Sequence, residues 1–229
     1  MQKFKELVTE AELPRANLSD RDFSNVDFTG VDLTGRDLSS SNLSNANFTN
    51  AILKDVNLEY ANICGAIFTG ADMRGVLMKN IDMRWTSMNN LNFKGADFHE
   101  SDVTGVDFTG SNLTDTNFRD AIAIETGFRK SNMVSSDFFG ADITGADFTD
   151  SDLSFAQMSE TIYKTTHSIS EEEWKTSFVG ANLTSDKLRD ALIYNADFTG
   201  SSLTKTDFTG SKLEDCKDEE HEIVIVNID

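Results

Sequence analysis

An apolar residue recurs at every fifth position of this chain. The register runs from Leu18 to Tyr163 with one lapse, at Ala123, and resumes from Phe178 to Leu213; the recurring residue is usually Leu, Phe, Ile or Met. Neither regular element has this period. Five residues of an α-helix turn through about 500°, which scatters side chains around the axis, and in a strand they alternate between faces. The pattern instead predicts a solenoid in which each five-residue unit is one structural piece and neighbouring units share a continuous core.

The positions around the apolar centre, here called i, describe the piece. Position i−2 is small in most units (Ala46, Ala71, Ala96, Ser101, Ala141, Ala196), as a second inward-facing residue must be. Position i−1 is usually Asp or Asn and i+1 usually Ser, Thr or a charged residue. Position i+2 holds 13 of the 14 glycines, Gly30 and Gly210 among them. Glycine, asparagine and aspartate tolerate φ > 0, so a corner is predicted there, with an Asp or Asn at i−1 placed to bond the backbone of the bend. Arg21 and Arg36 stand at i−2 slots expected to face inward; bulging or snorkelling is expected rather than a buried charge.

Phenylalanine counts the sides of the coil. Sorted by position modulo twenty, Phe28, Phe48, Phe68, Phe108, Phe128 and Phe148 fall in one column, interrupted by Met88. A three-sided coil would spread them over all its columns, so four sides of five residues are predicted. Residues 166–175 lack apolar centres and carry Glu171, Glu172, Glu173 and Trp174. Looping out these ten residues returns Phe178 and Phe198 to the same core column, so this segment is read as an excursion, with a Ser cap and a Glu-rich first turn favouring a helical turn. The chain is thus divided into a capping helix at 1–15, a repeat at 16–216 and an acidic tail at 217–229. Phe4, Leu7, Val8 and Ala11 make the helical stripe, stopped by Pro14; Ile223 to Ile228 read as a strand.

The runs "ANLSD RDFSN VDFTG VDLTG" and "ADFTG SSLTK TDFTG" resemble the A(D/N)LXX consensus of the pentapeptide-repeat family. The resemblance covers residues 16–216 apart from the excursion. It implies an all-β, right-handed quadrilateral parallel β-helix, in agreement with the four-sided count. Nine to ten coils at about 4.8 Å give a rod of roughly 45 Å.

A formal net charge of −19 excludes the basic surface that phosphate binding needs and points to a basic protein partner. The absence of a signal peptide and of a long apolar run leads us to expect a cytoplasmic protein without a membrane span. Cys64 and Cys216 are too far apart to read as a disulfide framework or metal box. His99, His167 and His221 are scattered, the aspartates follow from the repeat, and no phosphate loop is present, so neither catalysis nor a cofactor or metal is expected. Met73, Met78, Met83 and Met88 read as adaptable core filling.

Departures from the repeat supply the candidate contacts. Tyr60, Trp85 and Phe155 occupy i+2 corners and Phe139 an i+1 site, where exposed aromatics could anchor a partner. The resemblance extends to the Qnr and MfpA types of the family, which protect DNA gyrase or topoisomerase IV from quinolones by presenting an acidic rod shaped like duplex DNA. It implies a partner-contact role for Glu171, Glu172, Glu173 and Trp174. At about 3.4 Å per base pair the rod matches roughly 13 base pairs. Those types usually carry two loops and a dimer-building C-terminal helix; this sequence shows one excursion and a strand-like tail, which could cap the last coil, join two copies or pair with a partner's sheet. The competing expectation is a structural or adaptor module, or a secreted effector, binding another protein through the corner aromatics or the tail.

Overall fold

The computed structural model of the protein describes residues 2–3, 17–84, 86–161, 176–218 and 221–222. Between residues 17 and 218 the chain winds as a four-sided parallel β-helix. Its bridges join residues twenty apart, Asp22 to Asn42, Asp27 to Asn47, Asp32 to Ile52 and Asp37 to Asn57. After the excursion the offset becomes thirty, with Asp147 on Ser177 and Asp152 on Asn182. Ten residues are therefore added between Thr161 and Thr176 without disturbing the register on either side; residues 166–175 themselves lie outside the described residues.

The five-residue unit accounts for all five of its amides, which is why the consensus has the residues it has. In the unit Val26–Gly30, Phe28 N donates up to Asn47 O (2.7 Å) and Gly30 N to Thr49 O (3.0 Å). Val31 N closes the corner on Phe28 O (3.0 Å), and in the next coil Asn47 N donates down to Val26 O (2.9 Å). The remaining amide, Thr29 N, lies in the bend and donates to Asp27 Oδ1 (3.0 Å). An Asp or Asn at i−1 is thus a built-in turn acceptor. Every described i+2 residue whose corner is recorded as left-handed, Gly or not, has φ between 49° and 74°.

Centres and i−2 residues fill the interior. Phe28, Phe48 and Phe68 stack with centroids 4.6 and 5.1 Å apart, and Phe108, Phe128, Phe148, Phe178 and Phe198 continue the column at 4.9–5.5 Å. The rings are nearly parallel, an arrangement worth about 0.5–1.5 kcal/mol per pair beyond area burial. A second column, Phe98, Phe118 and Phe138, rises from the opposite side and meets the first edge to face, Phe118 on Phe128 at 5.6 Å. The four methionines of residues 71–90 are buried as core filling. Arg21 is exposed and Arg36 half-buried, its Nε donating to Thr34 O (3.4 Å), so neither charge enters the core.

The ends depart from expectation where they are described. Gln2–Lys3 (β1) is not helical: it is a strand, parallel to Val26–Asp27 (β2), and covers the edge that the first full coil would leave open. The rest of the helix expected at 1–15 lies outside the described residues. Near the other end Leu192–Tyr194 (β3) pairs parallel with Lys212–Glu214 (β4), one coil above it. Lys217–Asp218 (β5) and His221–Glu222 (β6) then form a small antiparallel pair, so the tail turns back on itself; residues 223–229 lie outside.

Candidate protein-binding surfaces

Much of the negative charge on this rod is already in use. Asp at i−1 accepts its own turn amide, and often the i+1 hydroxyl as well: Thr34 Oγ1 lies 2.6 Å from Asp32 Oδ1 and Thr209 Oγ1 2.6 Å from Asp207 Oδ1. These bonds favour the ionised form; the Thr34 hydroxyl and amide pull Asp32 below the usual carboxylate range, and the Thr209 hydroxyl leads in lowering Asp207 to about 2. The basic residues at i+1 are likewise paired, Arg84 with Asp82 (2.8 Å), Arg119 with Asp137 (3.2 Å) and Arg129 with Asp147 (3.3 Å). The flat sides of the rod are therefore mixed in charge.

The corners differ. One column of i+2 residues runs Asp20, Ser40, Tyr60, Asn80, Glu100, Asp120, Gly140, Glu160, Asp190 and Gly210, and it has no basic member. Glu100 and Asp120 are about half exposed; Lys79 Nζ lies 3.9 Å from Glu100, and the His99 ring lies 3.7 Å from Glu100 and 3.9 Å from Asp120. Tyr60 is 63% exposed in the same column, and its hydroxyl accepts from Asn80 Nδ2 (3.4 Å). The structure thus brings one expected aromatic into line with acids that no turn consumes.

The other candidates do not join it. Phe155 is 59% exposed on a different corner, with φ 65°. Phe139 is half-buried under the Arg119 guanidinium, 4.4 Å from the ring centroid, so it serves a cation–π contact within the protein. Trp85, Glu171, Glu172, Glu173 and Trp174 lie outside the described residues. One group was missed: Ile52, Ile67, Leu77, Ile122 and Leu192 are exposed large hydrophobics, and all stand at i−1, where Asp or Asn belongs. The signal was available in the sequence, because a residue without a turn acceptor breaks the unit's hydrogen-bond rule.

The described residues offer little chemistry. No cluster of His, Cys, Asp and Glu among them has metal-holding geometry. Asp186 is the strongly perturbed acid: fully buried at an i−2 slot, it accepts from Ala156 N at Oδ1 (3.0 Å) while Oδ2 has no partner, and desolvation raises it to about 8. It is neutral at ordinary pH and enclosed by core. Cys64 is exposed and unpaired; Cys216 is buried, which raises its thiol.

Comparison with known proteins agrees with this geometry. Residues 8–39, 37–70, 66–105, 104–138, 140–162 and 176–217 match the family model described as pentapeptide repeats, in eight copies. The interval it skips, 163–175, contains the excursion. No curated protein matches the chain. Among solved structures, HetL, a pentapeptide repeat protein involved in heterocyst differentiation regulation from the cyanobacterium Nostoc sp. strain PCC 7120, is 18% identical with a TM-score of 0.76, covering 95% of this chain and 94% of its own. QnrB1, a plasmid-mediated fluoroquinolone resistance protein, is 20% identical over 87% of both chains with a TM-score of 0.27. A pentapeptide repeat protein of the Arabidopsis thaliana thylakoid lumen is 27% identical over 61% of this chain and 74% of its own, with a TM-score of 0.18. The likeness to HetL supports the fold, and the two lower scores carry no structural argument.

Proposed function

This chain belongs to the pentapeptide-repeat family, whose members fold as right-handed β-helices, and on that premise we propose that it is a non-enzymatic protein-binding rod. Its acidic corner ridge docks on a basic protein surface, with a type II topoisomerase, DNA gyrase or topoisomerase IV, as the candidate partner in the cytoplasm. The supporting observation is the ridge: Glu100, Asp120, Glu160 and Asp190 project from one corner at multiples of the coil rise of about 4.8 Å. A rigid row of carboxylates along a rod offers a basic saddle what a phosphate backbone offers, at lower charge density. The mixed flat sides limit the likeness to duplex DNA to this one edge.

The test is a gyrase supercoiling assay with and without a quinolone, alongside direct binding at low and high salt. The expected outcome is inhibition or protection at micromolar protein that weakens steeply with salt and is lost in the variant carrying Glu100→Gln, Asp120→Asn, Glu160→Gln and Asp190→Asn. Absence of binding, inhibition and protection would end the mimicry reading. A second reading, an adaptor that captures another protein through Tyr60 or Phe155, is supported by their exposure and by the left-handed corners that hold them. It predicts that Tyr60→Ala abolishes capture while the four neutralisations change little. A dimer through the C-terminal end remains part of either reading, to be tested by sedimentation.

A further inference from the structure

Among the described residues the parallel ladder is interrupted between two coils, on two adjacent sides. Between the coil at 61–80 and the next, Asp72 bridges Asn92 and Leu77 bridges Asp97, but Asn62 and Asp82 do not pair, nor do Ile67 and Ser87. Below the seam Asn42 pairs with Asn62 and Asn47 with Ile67; above it Asp82 pairs with Asp102 and Ser87 with Asp107. The amides of Ile63, Gly65, Phe68 and Gly70 on the lower lip, and of Asp82 and Ser87 on the upper, consequently have no partner among the described residues. A cleft of about 1110 Å³ occupies the space.

The upper lip is tied to the coil above it in a way that recurs where the ladder is closed, at Arg21 N on Ser41 Oγ (3.2 Å) and Ala191 N on Ser211 Oγ (3.3 Å). At both ends of the upper lip the usual corner bond is replaced by a serine of the coil above. Ser101 Oγ accepts from Ile81 N (3.4 Å) and donates to Met78 O (2.5 Å); Ser111 Oγ accepts from Leu91 N (3.0 Å) and donates to Met88 O (2.8 Å). The floor is closed, because Ile63, Phe68, Met83 and Met88 remain buried. The walls mix uncharged polar groups, Asn62, Thr69, Asn80, Ser87, Asn89 and Asn90, with apolar ones, Tyr60, Ala66 and Ile67, and the two lining charges, Asp82 and Arg84, neutralise each other at 2.8 Å.

We propose that this seam binds one extended, uncharged polypeptide segment of a partner protein, which enters as an added strand and turns at the Gly65 corner. Both lips present alternating main-chain donors and acceptors, and a peptide backbone is the ligand that satisfies them together. Unpaired strand edges are the standard template for strand addition. The closed floor restricts inward positions of the segment to Gly, Ala or Ser, and the neutral walls give no preference for charge. The site differs from the acidic ridge in chemistry and meets it at Tyr60 and Asn80, which line the cleft and belong to the ridge column.

The test uses the whole protein and a blocked decapeptide, Ser-Asn-Ala-Ser-Gly-Ala-Asn-Ala-Thr-Gly, followed by hydrogen exchange and by alkylation of exposed Cys64 on the lower lip. In free protein the amides of Ile63, Gly65, Phe68 and Gly70 are expected to exchange about a hundredfold faster than those of Phe108 and Gly110, which are bonded to Gly127 O (2.7 Å) and Arg129 O (2.9 Å). Millimolar peptide is expected to slow the four amides about tenfold and to protect Cys64, whereas the same peptide N-methylated at alternate residues does neither. Ser87→Pro, which removes a lip donor and fills the groove, keeps the circular dichroism of the fold and loses the protection. Three outcomes overturn the proposal: lip amides as slow as Phe108 in free protein, no protection by peptide, or protection that grows with protein concentration alone, which would assign the seam to a second copy.

Discussion

Residues 60–91 and residues 91–160 of this solenoid use the same five-residue unit and finish it differently. In the later stretch two columns of phenylalanine interlock, Phe118 meeting Phe108 at 5.9 Å and Phe128 at 5.6 Å, and the backbone bridges continue from coil to coil. In the earlier one Met73, Met78, Met83 and Met88 supply the interior, exposed Ile67 and Tyr60 stand at the rim, and two sides of the ladder are open. Flat rings stack at a spacing close to the coil rise and so reinforce the ladder. Methionine conforms to whatever space remains and imposes no spacing. Methionine does not by itself open the ladder, since Met73 N and Met78 N are bonded to Asn92 O (3.0 Å) and Asp97 O (2.8 Å); the repeat specifies the coil, and closure of one coil on the next varies from side to side.

The core gives the largest contrast. Phe118→Ala removes a ring shared by both columns and is expected to cost about 3–5 kcal/mol in denaturant unfolding. Met88→Leu, one coil below Phe108 in the first column, is expected to cost less than about 1.5 kcal/mol. Phe118→Leu sharpens the contrast: a cost no larger than that of Met88→Leu would mean that the stacked rings add little beyond their volume.

The ladder gives the next contrast, on a single side of the rod. Gly127 N donates to Val106 O (2.9 Å), so Gly127→Pro loses a bond and places a ring against the coil below, a cost of about 3 kcal/mol or more. Ser87, at the equivalent position two coils earlier, has an amide with no partner among the described residues. Ser87→Pro is therefore expected to leave the unfolding midpoint almost unchanged. A large loss at Ser87 would show that the seam is closed in solution.

These two contrasts also mark how far the sequence could be read. The four-sided coil, the first phenylalanine column and the ten-residue excursion follow from spacing alone, since each is a matter of register. The second column, Phe98, Phe118 and Phe138, obeys the same modulo-twenty rule and was legible by it. The seam was not: Ile67, Trp85 and Ser87 are departures from the consensus, but closed units carry similar ones, Ile52 and Phe155 among them. The acidic ridge lay between these cases: its residues were visible as corners, but that Arg84, Arg119 and Arg129 pair with acids off the ridge could be read only from the structure.

A smaller, pH-dependent contrast concerns an imperfection within the closed part of the rod. Asp186 is raised by burial to about 8, whereas an unfolded aspartate titrates near 3.8. Between these values the folded state holds a proton that the unfolded state has released, so stability falls as pH rises from about 4 to about 8. The thermal midpoint is expected to drop by roughly several degrees over that window. Asp186→Asn, which keeps the acceptor for Ala156 N, should flatten the dependence. The Asp207 contribution runs the other way, being present above about 4 and lost as pH falls through about 2, so it leaves the upper window untouched.

The smallest effect on stability is expected at the rim of the seam, where it separates a structural residue from a recognition residue. Tyr60 holds φ 59°, a left-handed conformation that costs an ordinary side chain about 1–2 kcal/mol and glycine almost nothing. Its ring is 63% exposed and gives little burial in return. Tyr60→Gly should therefore leave the unfolding free energy unchanged or raise it by up to about 1 kcal/mol, measured by urea titration. If the ring is kept at this corner for a partner, the same substitution weakens capture at unchanged fold, and at the ridge the loss should exceed that from any single carboxylate. A destabilised Tyr60→Gly protein would place the ring in the packing of the lip and remove it from the recognition surface.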